Sequence, residues 1–387
     1  MGLFLRFNQT VSFNIQGPVL VMKDKYAASG VDEPREQAAL QSMLKAFSRT
    51  YDIRSGAGSP MTEEDHFGSL IEITSDMALA VATDGVGTKL LIAQETGRYR
   101  EIAKDLIANN VNDIICMGAE PIAFVDYIGL DVADEKFLVE FSEGLSDAAL
   151  EAKVSIVGGE IAQIGVMLNS EHRSPRFDVV GTAIGFCSPA TGGKWPKALS
   201  RKQVVAGSQL IALPSSGLHS NGFSLARKVL LDDAGYDLSE TVSSLGEGSL
   251  AEHLLEPTAI YVRAIMPLLR DELVLGVANI SGGGLLTVSR LNPKASFKIE
   301  SLPTPPPIFE FIRDTGNLSE IDMHSTFNMG LGMVLAVAPE KVIEVERTLK
   351  ETGTECWRIG EVVEGSAGQI DVIPAGIVGR GHTFEIA

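Results

Sequence analysis

The chain has 387 residues, of which 32 are basic and 50 acidic, for a formal charge of −18. Such a field repels nucleic acid and anionic membranes, and it repels free polyphosphate unless cations or focused local groups intervene. Three scattered cysteines (Cys116, Cys187, Cys356) without CxxC spacing argue against a disulfide framework or a zinc site, and no apolar run is long enough to cross a bilayer.

A length near that of two ordinary domains frames the order of elements. The first 21 residues lack a signal-peptide core and read as an extension or edge strand, with Met22 an equally good start. Residues 26–50 read as a helix, with Ala39, Leu40, Met43, Leu44 and Phe47 at helical spacing. A glycine- and acid-rich loop (55–69) precedes a strand at 77–83. The stretch 100–115 places Ile102, Leu106, Ile107, Val111, Ile114 and Ile115 on one helical stripe. A strand (121–130), a helix capped by Asp134 (134–152) and two strands (154–159 and 177–186) complete the first half.

Residues 188–207 shift to proline, glycine and basic residues without periodicity, which sets a domain boundary and divides the chain into 1–187 and 188–387. Beyond it come a strand (209–214), helices at 224–235, 258–272, 284–292 and 306–316, a strand (332–339), a helix (340–353) and a strand (356–364). The mixture of strands and helices in both halves predicts an α+β or α/β class with sheets backed by helices, and glycine-rich turns in each half predict a ligand in a cleft.

The stretch VATDGVGTKLLI (81–92) resembles a phosphate loop, yet an acid opens it and Thr88 precedes Lys89. An aspartate at a strand end, beside Gly85 and Gly87, suits a metal–phosphate site in which Lys89 adds a point charge. In NNVNDIICMGAEP (109–121), Asn109 and Asp113 share a helical face among apolar residues. In IVGGEIAQ (156–163), Glu160 follows two glycines at the end of a strand. Asp84, Asp113 and Glu160 on separate elements make a candidate Mg²⁺ set. The loop SSGLHSNG (215–222) runs into a helix and suits a substrate phosphate, with His219 and Asn221 placed to polarise the reacting group. The glycines Gly282–Gly284 repeat that design. Asn328 sits before the Gly330/Gly332 pair, where a turn is the simpler reading. Cys116 reads as core and His172, His253 and His382 as surface; no GxSxG, HExxH or GxGxxG pattern occurs.

In order, TDGVGTKL (83–90), VNDIICMGAEPIAFVDY (111–127), GGE (158–160), LPSSGLHSNGFSLARKVL (213–230), NISGGGLL (279–286) and TFNMGLGM (326–333) resemble the aminoimidazole ribonucleotide synthetase family of purine biosynthesis; YAASGVD (26–32) resembles that family's start. The resemblance implies an α+β, two-domain subunit, with an N-terminal sheet used in dimerisation and a C-terminal sheet backed by helices. It implies a cytoplasmic homodimer that binds ATP and Mg²⁺ in residues 1–187 and works on a small-molecule ribonucleotide with residues 188–387. The activity implied is an ATP-dependent cyclo-ligase.

Carried over residue by residue, Asp84, Asp113 and Glu160 would hold the metal. Asp84, Gly85, Gly87, Thr88 and Lys89, with Asn112 and Gly68, would bind the nucleotide. Ser215, Ser216, Gly217, His219, Ser220 and Asn221 would bind the substrate, together with Gly282, Gly283 and Asn328; His219, Asn221 and Lys89 would serve the chemistry. Two departures stand out: Glu64, Asp65 and His66 replace small residues, and Ile161 and Gln163 replace a hydroxyl and a carboxylate after GGE. These keep two other expectations open, a diverged ATP-dependent paralogue with another amide, amidine or phosphoacceptor substrate and a catalytically silent nucleotide binder.

Overall fold

The computed structural model describes residues 33–61, 66–168, 175–190, 192–381 and 383–387. The extension 1–21, Met22, the 26–32 segment, Glu64, Asp65, His172 and His382 lie outside the described residues. The chain divides into two compact units. In the first, Met1–Phe47, the described element is helix α1 (Glu33–Phe47), and it carries the helical apolar spacing read from the sequence.

The second unit, Ser48–Ala387, contains two sheets. The first combines β1 (Ser69–Thr74), β2 (Met77–Gly85), β3 (Glu120–Leu130), β4 (Ser155–Gln163) and β5 (Phe177–Cys187) in the order β1-β2-β5-β3-β4. All pairs are antiparallel except β3–β4, whose parallel pairing follows from the crossover helix between them. That sheet is covered by α3 (Arg100–Cys116) and by the crossover helix α4 (Glu135–Ala152), while α2 (Lys89–Thr96) follows directly on the turn after β2. Asp134 caps α4 as its sequence predicts, its Oδ1 accepting from the Phe137 N–H at 2.7 Å.

The second sheet runs β13-β12-β11-β8-β10-β6-β9-β7. Its strands are β6 (Gln209–Pro214), β7 (Gly276–Asn279), β8 (Ser296–Ile299), β9 (Leu331–Val337), β10 (Trp357–Val363), β11 (Ile370–Val372), β12 (Ile377–Arg380) and β13 (Thr383–Ile386). Helices α5 (Phe223–Arg227), α6 (Leu250–Leu255), α7 (Val262–Arg270), α8 (Pro307–Gly316), α9 (Glu320–Thr326) and α10 (Val342–Glu351) accompany it. Strand β9 is buried along its whole length, as its continuous apolar run requires.

Several elements differ from the sequence reading for identifiable reasons. Strand β2 runs two residues further and so carries Asp84 and Gly85 inside the sheet. The 258–272 segment turns helical only at Val262, because the backbone before it is held in other bonds described below. The 224–235 helix is a short α turn followed by a π turn over Lys228–Asp233, and 284–291 forms a 3-10 helix. Pro60, in the glycine-rich loop, forms a bridge with Ile71 of β1. Among the described residues, no helix is long and apolar enough to cross a membrane.

Helix α3 positions everything that follows. It packs on β2, β3 and β5, runs along α4, and touches β7 and α7 of the second half. A helix buried on so many sides must satisfy each polar side chain with a specific partner. Its polar residues Asp105, Asn109, Asn110, Asn112 and Asp113 each have one.

Candidate active site

The turn after β2 is fixed from above by α3. Asn109 Nδ2 donates to the Gly85 carbonyl at 2.9 Å, and Asn110 Nδ2 donates to the carbonyls of Asp84 (3.2 Å) and Leu106 (2.8 Å). The Asp84 carboxylate accepts from the Gly85 N–H at 2.8 Å and otherwise faces solvent. Gly181 of β5 lies opposite Asp84 in register, and a Cβ there would stand 2.7 Å from Asn110 Nδ2 and 2.4 Å from Phe124 Cζ. Only glycine lets Asn110 lie over the strand at that point.

One helical step beyond, Asp113 accepts from Asn279 Nδ2 at 2.9 Å, which draws β7 of the second half onto α3. Burial pushes the Asp113 carboxyl up to about 7; the nearby Asp84 charge adds to the rise, while the Asn279 bond and Arg290 oppose it. Asp84 is also raised, by desolvation against the bond from Gly85. Asp84 and Asp113 repel one another, and a cation beside them would offset that repulsion. Asn110 Oδ1, fully buried, has no hydrogen-bond partner among the described residues. Mg²⁺ needs only one or two carboxylates when phosphates and waters complete its shell, so this pair fits that ion.

Glu160 does not join the pair. Cross-strand partners share a face, and the register puts Asp84, Gly181, Asp126 and Gly159 on one side of the first sheet. Glu160 pairs with Tyr127, which pairs with Val180 and so with Gly85, on the opposite side. Among the described residues, no group of three or more acid, histidine or cysteine side chains stands within reach of one metal. The carboxylate that shares Asp84's row is Asp126, half-buried and raised by desolvation; a Cβ on Gly159 would meet its Oδ1 at 2.3 Å.

Lys89 is also placed otherwise than the sequence suggests. It is fully buried, and its ammonium meets Asp105 Oδ2 at 2.8 Å, the Glu256 carbonyl at 2.8 Å and the His219 carbonyl at 3.1 Å, above the Phe223 ring. Three protons have three acceptors, so none is left for a phosphate. Asp105 in turn accepts from Thr258 N (2.7 Å) and Oγ1 (2.6 Å). Asn112 spends both ends of its amide on the segment after Pro257, accepting from Tyr261 N at 3.0 Å and donating to the Ala259 carbonyl at 2.8 Å. Thr88 Oγ1 lies 3.2 Å from Ser224 Oγ, Gly87 has a φ of 71°, and Gly68 packs on Met117 and the Val81 carbonyl.

The 215–222 loop folds around Asn328. Asn328 makes the turn its sequence predicts, its Oδ1 accepting from the Gly330 N–H at 2.9 Å, and it also accepts from Ser215 Oγ (3.0 Å) and donates to the Gly217 carbonyl (2.9 Å). Ser216 Oγ donates to the Pro257 carbonyl at 2.5 Å, and Ser220 Oγ lies 3.1 Å from Thr258 Oγ1. His219 is 2% exposed and left-handed (φ 58°), its Nε2 accepting from the Ser216 N–H at 3.3 Å. Burial, with Lys89 nearby, holds its pKa down at about 3, so the ring is a neutral strut inside the loop. Asn221 remains half-exposed and faces the glycine run, its Oδ1 3.5 Å from where a Gly282 Cβ would sit; Gly283 is left-handed (φ 91°). The loop, the glycine run and Asp84 thus belong to one seam between the two sheets, with α3 at its centre. His66 adds a neutral imidazole lowered to about 4 by burial and by Arg201 and Arg290. All three cysteines are free, with Cys116 and Cys187 buried.

Sequence reasoning missed Asp105, Thr258, Tyr261, Asn279 and Arg290. The signal was present for Asp105: with Asn109 and Asn112 it recurs at helical spacing, a polar stripe through an otherwise apolar helix.

Models of AIR synthase related proteins match both halves, the N-terminal domain over residues 67–187 and the C-terminal domain over 205–373. A phosphoribosylformylglycinamidine cyclo-ligase of Thermococcus kodakarensis is 39% identical over 87% of this chain and 95% of its own. One of Bifidobacterium animalis subsp. lactis is 38% identical over 91% of this chain and 100% of its own. The chain belongs to the phosphoribosylformylglycinamidine cyclo-ligase family. The family fold is shared by the thiamine-monophosphate kinase of Stenotrophomonas maltophilia (TM-score 0.56, 18% identity, 86% of this chain and 95% of that one). The hydrogenase maturation protein HypE in complex with ATP shares it too (TM-score 0.53, 19% identity, 76% and 80%).

Proposed function

We propose that this chain is an ATP-dependent cyclo-ligase of de novo purine biosynthesis, converting formylglycinamidine ribonucleotide to aminoimidazole ribonucleotide with release of ADP and phosphate. The observation that carries this reading is identity of 39% spread over nearly the whole length of a named cyclo-ligase. The formyl amide oxygen takes the γ-phosphoryl group of ATP, the amidine nitrogen attacks the activated carbon, and phosphate leaves with that oxygen as the ring closes. Such chemistry asks a protein for positioning and charge neutralisation rather than a covalent nucleophile.

Asp84 and Asp113 would hold Mg²⁺, which would supply neutralisation of phosphate charge at the turn after β2. Asn109 and Asn110 keep that turn open by holding its two carbonyls. Asn221 and the Gly282–Gly283 backbone face the ribonucleotide, and the serines and Asn328 shape the loop that presents Asn221. The halves 1–187 and 188–387 divide the work into a nucleotide side and a substrate side.

The protein acts as a cytoplasmic homodimer, paired through the open face of the first sheet, where Tyr127 and Val180 are exposed and Val81, Ile184 and Phe186 only half-buried. An apolar sheet face of this kind favours a partner surface over water.

Purified protein given formylglycinamidine ribonucleotide, ATP and Mg²⁺ should release ADP and phosphate in equal amounts with aminoimidazole ribonucleotide. Absence of substrate-dependent ADP release defeats the reading.

A further inference from the structure

We propose that Lys89 is a positioning residue: its buried ammonium, clamped by Asp105, fixes the 215–222 loop against the turn that carries Asp84. This rests on the cyclo-ligase reading for its catalytic consequence, though not for its structural one. The pin is assembled from four places in the chain. Lys89 opens α2 directly after the Asp84 turn, Asp105 comes from α3, and the two carbonyls belong to His219 and Glu256 of the second half. A lysine with no exposure needs partners in place of its hydration, and here its nitrogen has three oxygen acceptors and an aromatic face.

The residue it grips makes the arrangement informative. His219 holds a positive φ, uncommon for a residue with a side chain, and two bonds support it here. They are the ammonium on its carbonyl and the Ser216 N–H on its ring. Two residues later comes Asn221, beside Gly282. Around the second carbonyl, Ser216 bonds to Pro257, and Thr258 bonds both to Asp105 and to Ser220. The loop and the 256–258 segment are therefore bound to one another and to the same ion pair. A single charge placed between the nucleotide turn and the substrate loop fixes their separation, and small displacements of reacting groups are costly to rate.

The test is the double variant Lys89→Met/Asp105→Asn. It removes both charges together, so no lone ion is stranded in the interior, and the Asn side chain retains an acceptor for Thr258. Hydrogen exchange of the amides at 216–220 should accelerate at least tenfold, while those of β9 stay protected. Affinity for a non-hydrolysable ATP analogue with Mg²⁺ should remain within about threefold. With a folded protein, kcat should fall by about 100-fold and KM for the ribonucleotide should rise.

Unchanged loop protection overturns the proposal, as does a folded variant with wild-type kcat. A loss of ATP-analogue affinity of tenfold or more also overturns it, because it would make Lys89 a phosphate contact. Should the double variant fail to fold, Asp105→Asn alone gives the same readings in weaker form, since the ammonium then stays but is less well held. If the wild-type protein shows no turnover, the cyclo-ligase reading falls, and the exchange arm still decides the role of Lys89.

Discussion

Asp105 and Asp113 lie on the same helix, about 12 Å apart along its axis, and their surroundings are opposites. Asp105 is enclosed with a lysine at 2.8 Å and two donors from Thr258, so every element around it is fixed. Asp113 has one amide from Asn279 and the charge of Asp84 close by; burial raises the carboxyls of both Asp105 and Asp113, the latter to about 7. Asp105 is fully buried and Asp113 half-buried, in a helix rich in isoleucine. One is held by a cation and two donors, the other by a single amide beside a like charge. Under the proposed function the first serves architecture and the second binding, so surroundings separate the two roles more sharply than residue type does.

The strongest way to break this contrast is to strand Asp105. Lys89→Met alone should destabilise the protein by about 3–5 kcal/mol, the cost of leaving a buried charge without its partner; urea unfolding followed by circular dichroism measures it. The same operation at the other end should cost little stability and much binding. Asp84→Asn keeps an acceptor for the Gly85 N–H, so the melting temperature should stay within a few degrees while Mg-dependent affinity for an ATP analogue drops more than tenfold by calorimetry. A large stability loss with unchanged affinity would turn the assignment round.

Asp113→Asn should go further and stabilise the ligand-free protein. A carboxyl raised in the folded state contributes stability below its unfolded pKa near 4 and loses it as pH rises through about 7. Removing the charge should therefore gain roughly 1–3 kcal/mol at pH 8 and nothing below pH 4, and saturating Mg-ATP should reverse the ranking.

A smaller effect belongs to His219 and His66, which stay neutral when folded with values near 3 and 4. Their stabilisation is complete above the unfolded pKa of about 6.5 and fades as pH falls through that window, because the unfolded chain takes up protons first. His66→Gln should flatten the acid limb between pH 6.5 and 4 by about 1 kcal/mol or less after screening at this half-exposed site.

Much of this organisation can be read without coordinates. The alternation along β5, the stripe on α3 and the cap at Asp134 are local patterns, and they yield the elements found. The LPSSGLHSNG string and the acid-opened DG turn are separate in sequence, and the fold links them through Lys89 and His219. What stayed hidden depends on neighbours remote in sequence. A lysine beside two glycines reads as a phosphate contact, and only the arrival of His219, Glu256 and Asp105 makes it a buried pin. The side on which Glu160 projects follows from the register of β3 with β4, which no window of sequence contains. Strands β7, β8 and β11–β13 are three or four residues long, too short to show a period.

Gly181 deserves a last thought, although it carries no chemistry. It sits beneath Asn110, and Asn110 keeps the Asp84 carbonyl in place. A methyl group added there would lift the asparagine away from the strand and loosen the turn after β2 from behind. In a saturation mutagenesis survey scored for enzyme activity, this position should tolerate substitution as poorly as a ligand contact, while in a survey scored for cellular abundance it should look far milder. A blank side chain in the middle strand is in that sense heritable information about a site on the next strand.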